Sequence, residues 1–381
     1  LPAAGNLVVR CDSSTALNPG DRAVVRGKIY PFTARHGGYG RLMTRRGYVG
    51  TLYLNRSSLL LSDTLHRELS PKHLSLFLHE RAVARLDRLA LAPDEQALCN
   101  AMTAGDRRSL SPALRAAYSR SGTSHLLAVS GLHVGIVFLL ANLLLWWLPL
   151  FRHGHILRNI AVILLIWLYA ATTGFPPSVV RAALMFSVLQ FALASSSEYV
   201  GMNTLAGVAF VMLLFHPDYL FDISFQLSFI AVAGIIAWGL PLCRLLRTRR
   251  KSIDMLTATL AIGFSASAAT APLISHTFGQ ISVVGLALNP VVILLSYVVV
   301  GSCTLWLVIP GTALAPLFSV VAGFAARAQN ELIRAAAALP AAALDIRLTT
   351  TQCWSVYGLF IFATLLLWSA ERKKSVSSLP E

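Results

Sequence analysis

Residues 125–148 read HLLAVSGLHVGIVFLLANLLLWWL, with no Asp, Glu, Lys or Arg among them. This run is longer than the about 20 apolar residues that a helix needs to cross a bilayer core. Its first ten residues nevertheless include His125, Ser130, Gly131 and His133. Because polar groups are costly inside a membrane, the pattern predicts a spanning helix whose first turn faces protein or a watery cavity.

The composition of the whole chain agrees with a membrane protein. Apolar residues make up 55% of it and charged residues 13%, and the mean hydropathy is +0.63. Soluble domains carry roughly 25% charged residues, so the composition excludes an ordinary soluble enzyme. Residues 1–125 hold 18 Lys and Arg against 9 Asp and Glu, and the remainder holds 14 against 8. The one clear domain border therefore lies near His125.

Nine apolar runs predict membrane spans. A break in the seventh or an interfacial position of the eighth would change this count, so the predicted total is about eight to ten helices. The predicted spans are Leu126–Leu148, Ile160–Thr173, Val179–Ala194, Thr204–Phe215, Ile223–Pro241, Leu256–Ile274, Val283–Ile309, Ala313–Ala338 and Trp354–Ser369. The seventh contains Asn289-Pro290, which predicts a bend or break. The eighth carries Arg327, Glu331 and Arg334, which leaves open a position partly in the interface.

The loop charges predict the orientation. Lys and Arg collect after the first, fifth and ninth spans, at Arg152 and Arg158, in residues 244–251 and in residues 372–374. Since cytoplasmic loops carry the excess of Lys and Arg, all three are expected on the cytoplasmic side of the membrane. The N-terminal domain is then extracytoplasmic and the C-terminus cytoplasmic.

The part before the spans is expected to contain two units. Residues 1–70 form a small β domain, in which Leu7–Arg10, Ala23–Tyr30, Tyr48–Leu54 and Ser58–Leu61 are strand candidates. Residues 71–124 form a helical connector that begins with an amphipathic helix. Leu74, Phe77, Leu78 and Leu86 form its apolar stripe, which packs on its own domain or lies on a membrane surface. Residues 125–370 are the transmembrane domain and residues 371–381 a cytoplasmic tail.

Polar residues in or beside the spans are the candidate site. Ser130 and His133 share a helix face, and small Gly131 permits close helix approach. Several of the polar residues lie toward the outer ends of their spans, which predicts a shared vestibule. The vestibule or channel candidates are His125, Ser130, Gly131, His133, Arg181, Asp222, Gln226 and Asn289. Packing glycines, interfacial anchors and locally bonded histidines are the simpler explanation for each of them alone.

A catalytic interpretation of Ser130 and His133 is a weaker alternative. The pair suggests an intramembrane serine hydrolase, but the chain has no G-x-S-x-G elbow, and no nearby acid orients the histidine. His125 and His133 lack the i, i+4 spacing of a zinc hydrolase. We expect no catalytic residues, no cofactor and no metal site. A small-solute transporter stays open as a further alternative.

Five cysteines show no metal-binding spacing. Cys243, Cys303 and Cys353 lie in or beside apolar runs and are expected to be small buried hydrophobic residues. Cys11 and Cys99 could form a disulfide if their part of the chain is extracytoplasmic.

Three motifs carry a resemblance: His125-Leu-Leu-Ala-Val-Ser-Gly-Leu-His-Val134, Pro177-Ser-Val-Val-Arg-Ala-Ala-Leu-Met185 and Asp222-Ile-Ser-Phe-Gln-Leu-Ser-Phe229. Together they resemble the ComEC family of DNA-internalisation competence proteins. Gly20-Asp-Arg-Ala-Val-Val-Arg-Gly27 is similar to the start of the family's extracytoplasmic OB-like domain. The similarity covers roughly residues 20–310.

The resemblance implies an inner-membrane channel for single-stranded DNA in natural transformation. Residues 1–70 would be the OB-like domain, and its expected DNA contacts are Arg26, Lys28, Arg35, Arg41, Arg45 and Arg46. The resemblance further implies a DNA receptor, a cytoplasmic motor and a separate nuclease as partners. Many members of the family also have helices ahead of the OB-like domain and a metallo-β-lactamase-like domain at the end. We expect neither in these residues and do not assign nuclease activity to them.

Overall fold

The computed structural model of the protein describes residues 6–11, 22–32, 40, 43–44, 47–55, 59–63, 71–194, 201–282, 284–309, 315–339 and 342–377. Most of these residues are helical, and a small group of strands precedes the helices. The helices are α1 (Pro71–Leu86), α2 (Pro93–Thr103), α3 (Pro112–Arg120), α4 (Gly131–Leu144), α5 (Gly154–Thr172), α6 (Pro177–Ala194), α7 (Gly201–Phe215), α8 (Ile223–Gly234), α9 (Leu240–Leu245), α10 (Lys251–Phe278), α11 (Val284–Val308), α12 (Ala315–Ala337) and α13 (Thr350–Ser377). A π-helical turn, Ile235–Gly239, joins α8 to α9.

The N-terminal strands form two small sheets. They are β1 (Asn6–Cys11), β2 (Arg22–Val25), β3 (Ile29–Pro31), β4 (Tyr48–Leu54) and β5 (Leu59–Asp63). In one sheet β4 pairs with β1 in parallel and with β3 antiparallel, and in the other β2 pairs antiparallel with β5. The four strand predictions are therefore confirmed, with one of them divided between β2 and β3. No pairing joins the two sheets among the described strands, so the OB-like barrel stays a prediction.

A glycine permits the close approach of β3 and β4. A Cβ atom built on Gly50 would lie 2.5 Å from the carbonyl oxygen of Tyr30, a distance that no side chain tolerates. This position in β4 consequently requires glycine.

Helix α1 packs on the helical domain through a face that the sequence pattern did not identify. Ser75, Val83 and Leu86 are buried, and the Ser75 hydroxyl donates to the carbonyl of Ala171, at the end of α5, at 2.7 Å. Of the predicted apolar stripe, Leu86 is buried, but two members at the start of the helix, Leu74 and Phe77, are 54% and 49% exposed. The predicted stripe is therefore buried only in part, and the membrane-surface alternative for the exposed Leu74 and Phe77 stays a prediction.

The apolar runs correspond to helices. Five segments are long and apolar enough to cross a membrane within the described part of the chain: Gly131–Leu150, Gly154–Thr172, Ile223–Leu245, Ile253–Phe278 and Leu288–Val308. Two shorter apolar helices are Pro177–Ala192 and Gly201–Phe215. A total of eight to ten crossings stays a prediction.

The first and seventh predicted spans differ in detail from the helices. α4 begins only at Gly131, because Ser130 has an extended backbone, with φ −123° and ψ 175°, and residues 124–127 form a separate 3₁₀ turn. The helix is not broken at Asn289-Pro290, because α11 continues from Val284 to Val308 with Pro290 inside it, and a bend there stays a prediction.

The eighth predicted span, α12, packs against the connector helices. Arg327 pairs with Glu95 of α2 at 2.7 Å, and Arg334 pairs with Asp94. The Tyr118 hydroxyl donates to Oδ1 of Asn330 at 3.1 Å, and burial raises the pKa of this phenol. α12 is absent from the helices apolar enough to span a membrane. Its polar residues serve contacts with α2 and α3.

Helix α4 lies between two apolar clusters. On one side Ile136 packs in a cluster with Leu288 of α11 and with residues of α2, α3 and α12. On the other side Val137 packs with Ile166 of α5 and Ala183 of α6. The helix that the 125–148 run encodes is therefore one of the elements that join the connector to the apolar helices.

Cys99 is a free thiol. It is fully buried in α2, where a hydrogen bond with Cys303 of α11, together with burial, raises its pKa. The possible disulfide with Cys11 is thus not formed. Cys303 and Cys353 are buried, as expected, and Cys243 is half-buried.

Candidate functional site at the junction of α4, α6 and α8

The first turn of α4 fixes the histidine of the opening motif. The backbone N–H of Ser130 donates to Nδ1 of His133 at 3.0 Å. Since Nδ1 accepts this bond, the ring proton is on Nε2. His133 is completely buried, and Nε2 has no hydrogen-bond partner among the described residues. The motif therefore presents a buried donor without an acceptor.

A buried arginine lies beside this turn. Arg181 of α6 is 5% exposed. A Cβ atom built on Gly131 would lie 3.1 Å from its Nη2, so only a glycine leaves normal room for the guanidinium at the start of α4. The side chain of Ser178, one turn earlier on α6, donates to the carbonyl of Val129 at 2.9 Å and holds the two segments together.

The guanidinium of Arg181 has neutral partners. Nη1 donates to the carbonyl of Ser228 in α8 at 3.2 Å, and the guanidinium carbon lies 5.7 Å from the centre of the Phe229 ring. Nε is buried without a hydrogen bond. Within the described ranges, no carboxylate forms an ion pair with Arg181. A buried cation without a counter-ion is costly unless a ligand supplies the charge.

Two further residues of the predicted vestibule, Asp222 and Gln226, form hydrogen bonds at the start of α8. Oδ1 of Asp222 accepts from the backbone N–H of Ser224 at 2.8 Å and caps α8. Nε2 of Gln226 donates to the carbonyl of Leu220 at 2.7 Å. Both residues lie at the start of α8, and Arg181 contacts Ser228 and Phe229 further along the same helix. These two hydrogen bonds hold the start of α8.

His125 and Asn289 take separate positions. His125 is exposed on the 3₁₀ turn Ser124–Leu127. Asn289 lies in α11 next to Leu288, and its buried Oδ1 has no partner within the described residues. Of the predicted vestibule set, the structure thus brings Gly131 and Arg181 together and bonds Ser130 to His133 in the same turn of α4.

The hydrogen bond at Nδ1 of His133 disfavours this residue as the general base that the hydrolase alternative requires. A general base needs a free ring nitrogen toward the serine hydroxyl, but Nδ1 already accepts the backbone N–H of Ser130. In the part of the chain that is described, no group of three His, Cys, Asp or Glu residues could hold a metal ion.

The N-terminal sheet presents a second group of candidate residues. Tyr30 and Tyr53 are 49% and 55% exposed, and their ring centres are 5.8 Å apart in an edge-to-face arrangement. Arg10 lies over Tyr53 and Lys28 over Tyr30, each 5.8 Å from the ring centre. Arg26 is exposed in the adjacent loop. Two cations and two aromatic rings therefore share one surface.

The sequence interpretation named only some of these residues. Arg10 was missed because its register partner Tyr53 is far away in sequence. Arg35, Arg41, Arg45 and Arg46 lie outside the described residues.

Comparison with known proteins identifies the class of protein. A family model described as Competence protein matches residues 102–373, which include α4 and Arg181. The chain therefore belongs to the competence protein family, and the resemblance to ComEC proteins is confirmed.

Two relatives share about half of the chain. Over 204 aligned residues, the chain is 33% identical to ComE operon protein 3 of Bacillus subtilis (strain 168). The aligned region covers 52% of this chain and 24% of that protein. Over 201 aligned residues, the chain is 29% identical to an uncharacterized protein of Aquifex aeolicus (strain VF5). The aligned region covers 52% of this chain and 45% of that relative. The match thus spans less than half the length of either relative. No solved structure matches the chain.

Proposed function

We propose that this chain forms an inner-membrane channel that conducts single-stranded DNA during natural transformation. Membership in the competence family supports a role in DNA uptake. The observation that carries the channel proposal is Arg181, a buried cation with neutral partners at the meeting point of three helices.

A phosphodiester would complete this site chemically. It supplies the negative charge that Arg181 lacks, and a guanidinium binds phosphate through several N–H groups at once. The Nε2–H of His133, in the same turn of α4, is a further buried donor without a partner among the described residues. A single cation also binds weakly enough to release a moving polymer, since conduction requires that a bound group can leave.

The surface of Arg10, Lys28, Tyr30 and Tyr53 supports a single strand as the substrate. Single-strand binding proteins combine basic grooves with aromatic rings on which bases stack. The exposed tyrosines and their neighbouring cations provide both kinds of contact. We place this surface outside the cytoplasmic membrane and the basic residues 244–251 inside, in accord with the loop charges.

The proposal assigns transport and no catalytic step to this chain. Strand degradation, strand capture and the driving force would belong to partners, namely a nuclease, a DNA receptor and a cytoplasmic motor. The hydrolase alternative gives no role to Arg181, which forms no ion pair among the described residues, and the match to competence proteins favours DNA over a small solute.

The test is uptake of labelled DNA by transformable cells that carry Arg181→Gln. We expect uptake to fall by at least about tenfold, because a charge-assisted phosphate contact contributes on the order of 1.5–3 kcal/mol. Arg244→Gln is the matched control, since Arg244 is exposed at a helix end and should leave uptake near the parent level.

Membrane content of each variant is measured in parallel to separate function from insertion. Parent-level uptake by a normally inserted Arg181→Gln protein would overturn the assignment of Arg181. Covalent labelling of Ser130 by a serine-directed probe would instead favour the hydrolase.

A further inference from the structure

A second polar cluster lies at the opposite ends of α4, α5 and α6. Nη2 of Arg158 donates to Oδ1 of Asn142 at 2.9 Å and to its carbonyl at 3.3 Å. Nε2 of Gln190 donates to Oδ1 of Asn159 at 2.6 Å, and Nδ2 of Asn142 lies 3.5 Å from Oε1 of Gln190. One network thus connects all three helices.

This network is separate from the Arg181 site. His133 and Asn142 are nine residues apart on α4, as are Arg181 and Gln190 on α6, which corresponds to about 14 Å along each helix. The apolar cluster that includes Val137 fills the space between them. A ligand of one site therefore does not contact the other.

The charge of Arg158 is again unbalanced. Its hydrogen-bond acceptors belong to the neutral Asn142, and its Nε is buried without a partner. Among the described residues, no carboxylate pairs with it. Only Nη2 of Arg158 donates to the Asn142 carbonyl at the end of α4. The other N–H groups of the guanidinium are left to donate to an anion.

The surroundings indicate what kind of anion fits. The turn between α4 and α5 exposes Trp146, Trp147, Leu150 and Phe151, at 66%, 45%, 80% and 62%. The exposed Arg152 follows them. Tryptophan and arginine at a helix end are typical of the lipid headgroup level. The exposed aliphatic side chain of Leu150 suits acyl chains, whereas a nucleic acid strand gains little from an aliphatic side chain.

We propose that Arg158 and the turn between α4 and α5 bind the phosphate of an anionic phospholipid. The inference rests on the membrane placement given under Proposed function. The phosphate accepts from Arg158, the tryptophans flank the headgroup, and the lipid thereby ties together the inner ends of α4, α5 and α6. Residues of this turn thus serve lipid recognition rather than DNA conduction.

The experiment uses the full chain in vesicles of phosphatidylcholine with or without phosphatidylglycerol. The thermal unfolding midpoint and the phosphatidylglycerol retained on extraction, detected by native mass spectrometry, are recorded. We expect phosphatidylglycerol to raise the midpoint of the parent protein. Arg158→Gln should retain about fivefold less of this lipid, and Arg158→Lys an intermediate amount.

Arg244→Gln controls for general attraction of basic residues to an anionic surface and should behave like the parent. An equal phosphatidylglycerol effect in Arg158→Gln and the parent would overturn the proposal. Inorganic phosphate and a short single-stranded oligonucleotide are added separately. Displacement of the retained lipid by the oligonucleotide would show that the site serves nucleic acid and would also overturn it.

If Arg158→Gln fails to fold, a photoreactive phosphatidylglycerol tests the parent protein directly. Cross-links in residues 142–160 are expected, and cross-links confined to other segments would contradict the proposal. DNA uptake of Arg158→Lys distinguishes this inference from the proposed function. Parent-level uptake with reduced lipid retention supports a lipid site, whatever Arg181→Gln shows.

Discussion

At the scale of single residues, the two nitrogens of His133 have different roles. Nδ1 accepts the backbone N–H of Ser130 and so stabilises the first turn of α4, whereas Nε2 is a buried donor without a partner among the described residues. A substitution that keeps an acceptor for the Ser130 N–H but no longer places the imidazole N–H at its native position separates the two roles.

His133→Gln is such a substitution. Glutamine three residues after an N-cap serine completes a capping box, so the unfolding midpoint should stay near that of the parent while DNA uptake falls. His133→Ala leaves the Ser130 N–H unsatisfied and should destabilise by about 1–3 kcal/mol. Thermal unfolding in detergent and uptake in cells measure the two effects. Full uptake by a stable His133→Gln protein would show that Nε2 has no part in transport.

Gly131 controls the position of Arg181. An added methyl group would lie 3.1 Å from Nη2, so we expect Gly131→Ala to displace the guanidinium, reduce uptake and destabilise by about 1–3 kcal/mol. Gly207→Ala in α7 is the matched control, because nothing lies within 4 Å of its Cβ position. It should keep stability and uptake. Equal uptake by the two alanine variants would contradict the role given to Gly131.

At the scale of elements, the loop between α2 and α3 contains an acid that links stability to pH. Asp106 is buried, and its carboxylate accepts from Arg108 at 2.9 Å. Hydrogen bonds from Arg108 lower the pKa of this carboxyl below its ordinary value. A depressed folded-state pKa gives stability that is fully present above the ordinary pKa of about 4 and is lost as pH falls through the lowered value.

Unfolding midpoints between neutral pH and pH 3 test this linkage. Asp106→Asn should be less stable than the parent at neutral pH, and the difference should shrink in acid. A constant difference across this range would show that the carboxylate charge does not contribute. Arg108 is 74% exposed, so the ion-pair part of the effect is expected to be small.

At the scale of the whole molecule, the proposed orientation places the tyrosine surface and residues 244–251 on opposite sides of the membrane. In a cysteine-free background, Tyr53→Cys should react with a membrane-impermeant maleimide in intact spheroplasts. Arg249→Cys should react only after lysis. Because both positions are exposed on the folded protein, the side of the membrane on which each lies decides whether the maleimide reaches it. The reverse pattern would invert the topology.

Much of the fold could be predicted because it depends on local composition. Each predicted span lies largely on a helix, since an apolar run of sufficient length is visible without knowledge of its neighbours. The predicted strands also recur as β1 to β5. The side of α1 that is buried could not be predicted, because Ser75 contacts Ala171 across nearly a hundred residues.

The sequence by itself determined the class of protein, the apolar helices and the motif that contains His133. Only the tertiary structure showed that Gly131 makes room for Arg181, that Arg10 lies over Tyr53 and that Arg158 bonds to Asn142. The physical reason is the same in each case. A side chain's partner, and whether its charge is balanced, depends on which distant segments pack against it, and a linear pattern does not contain that information.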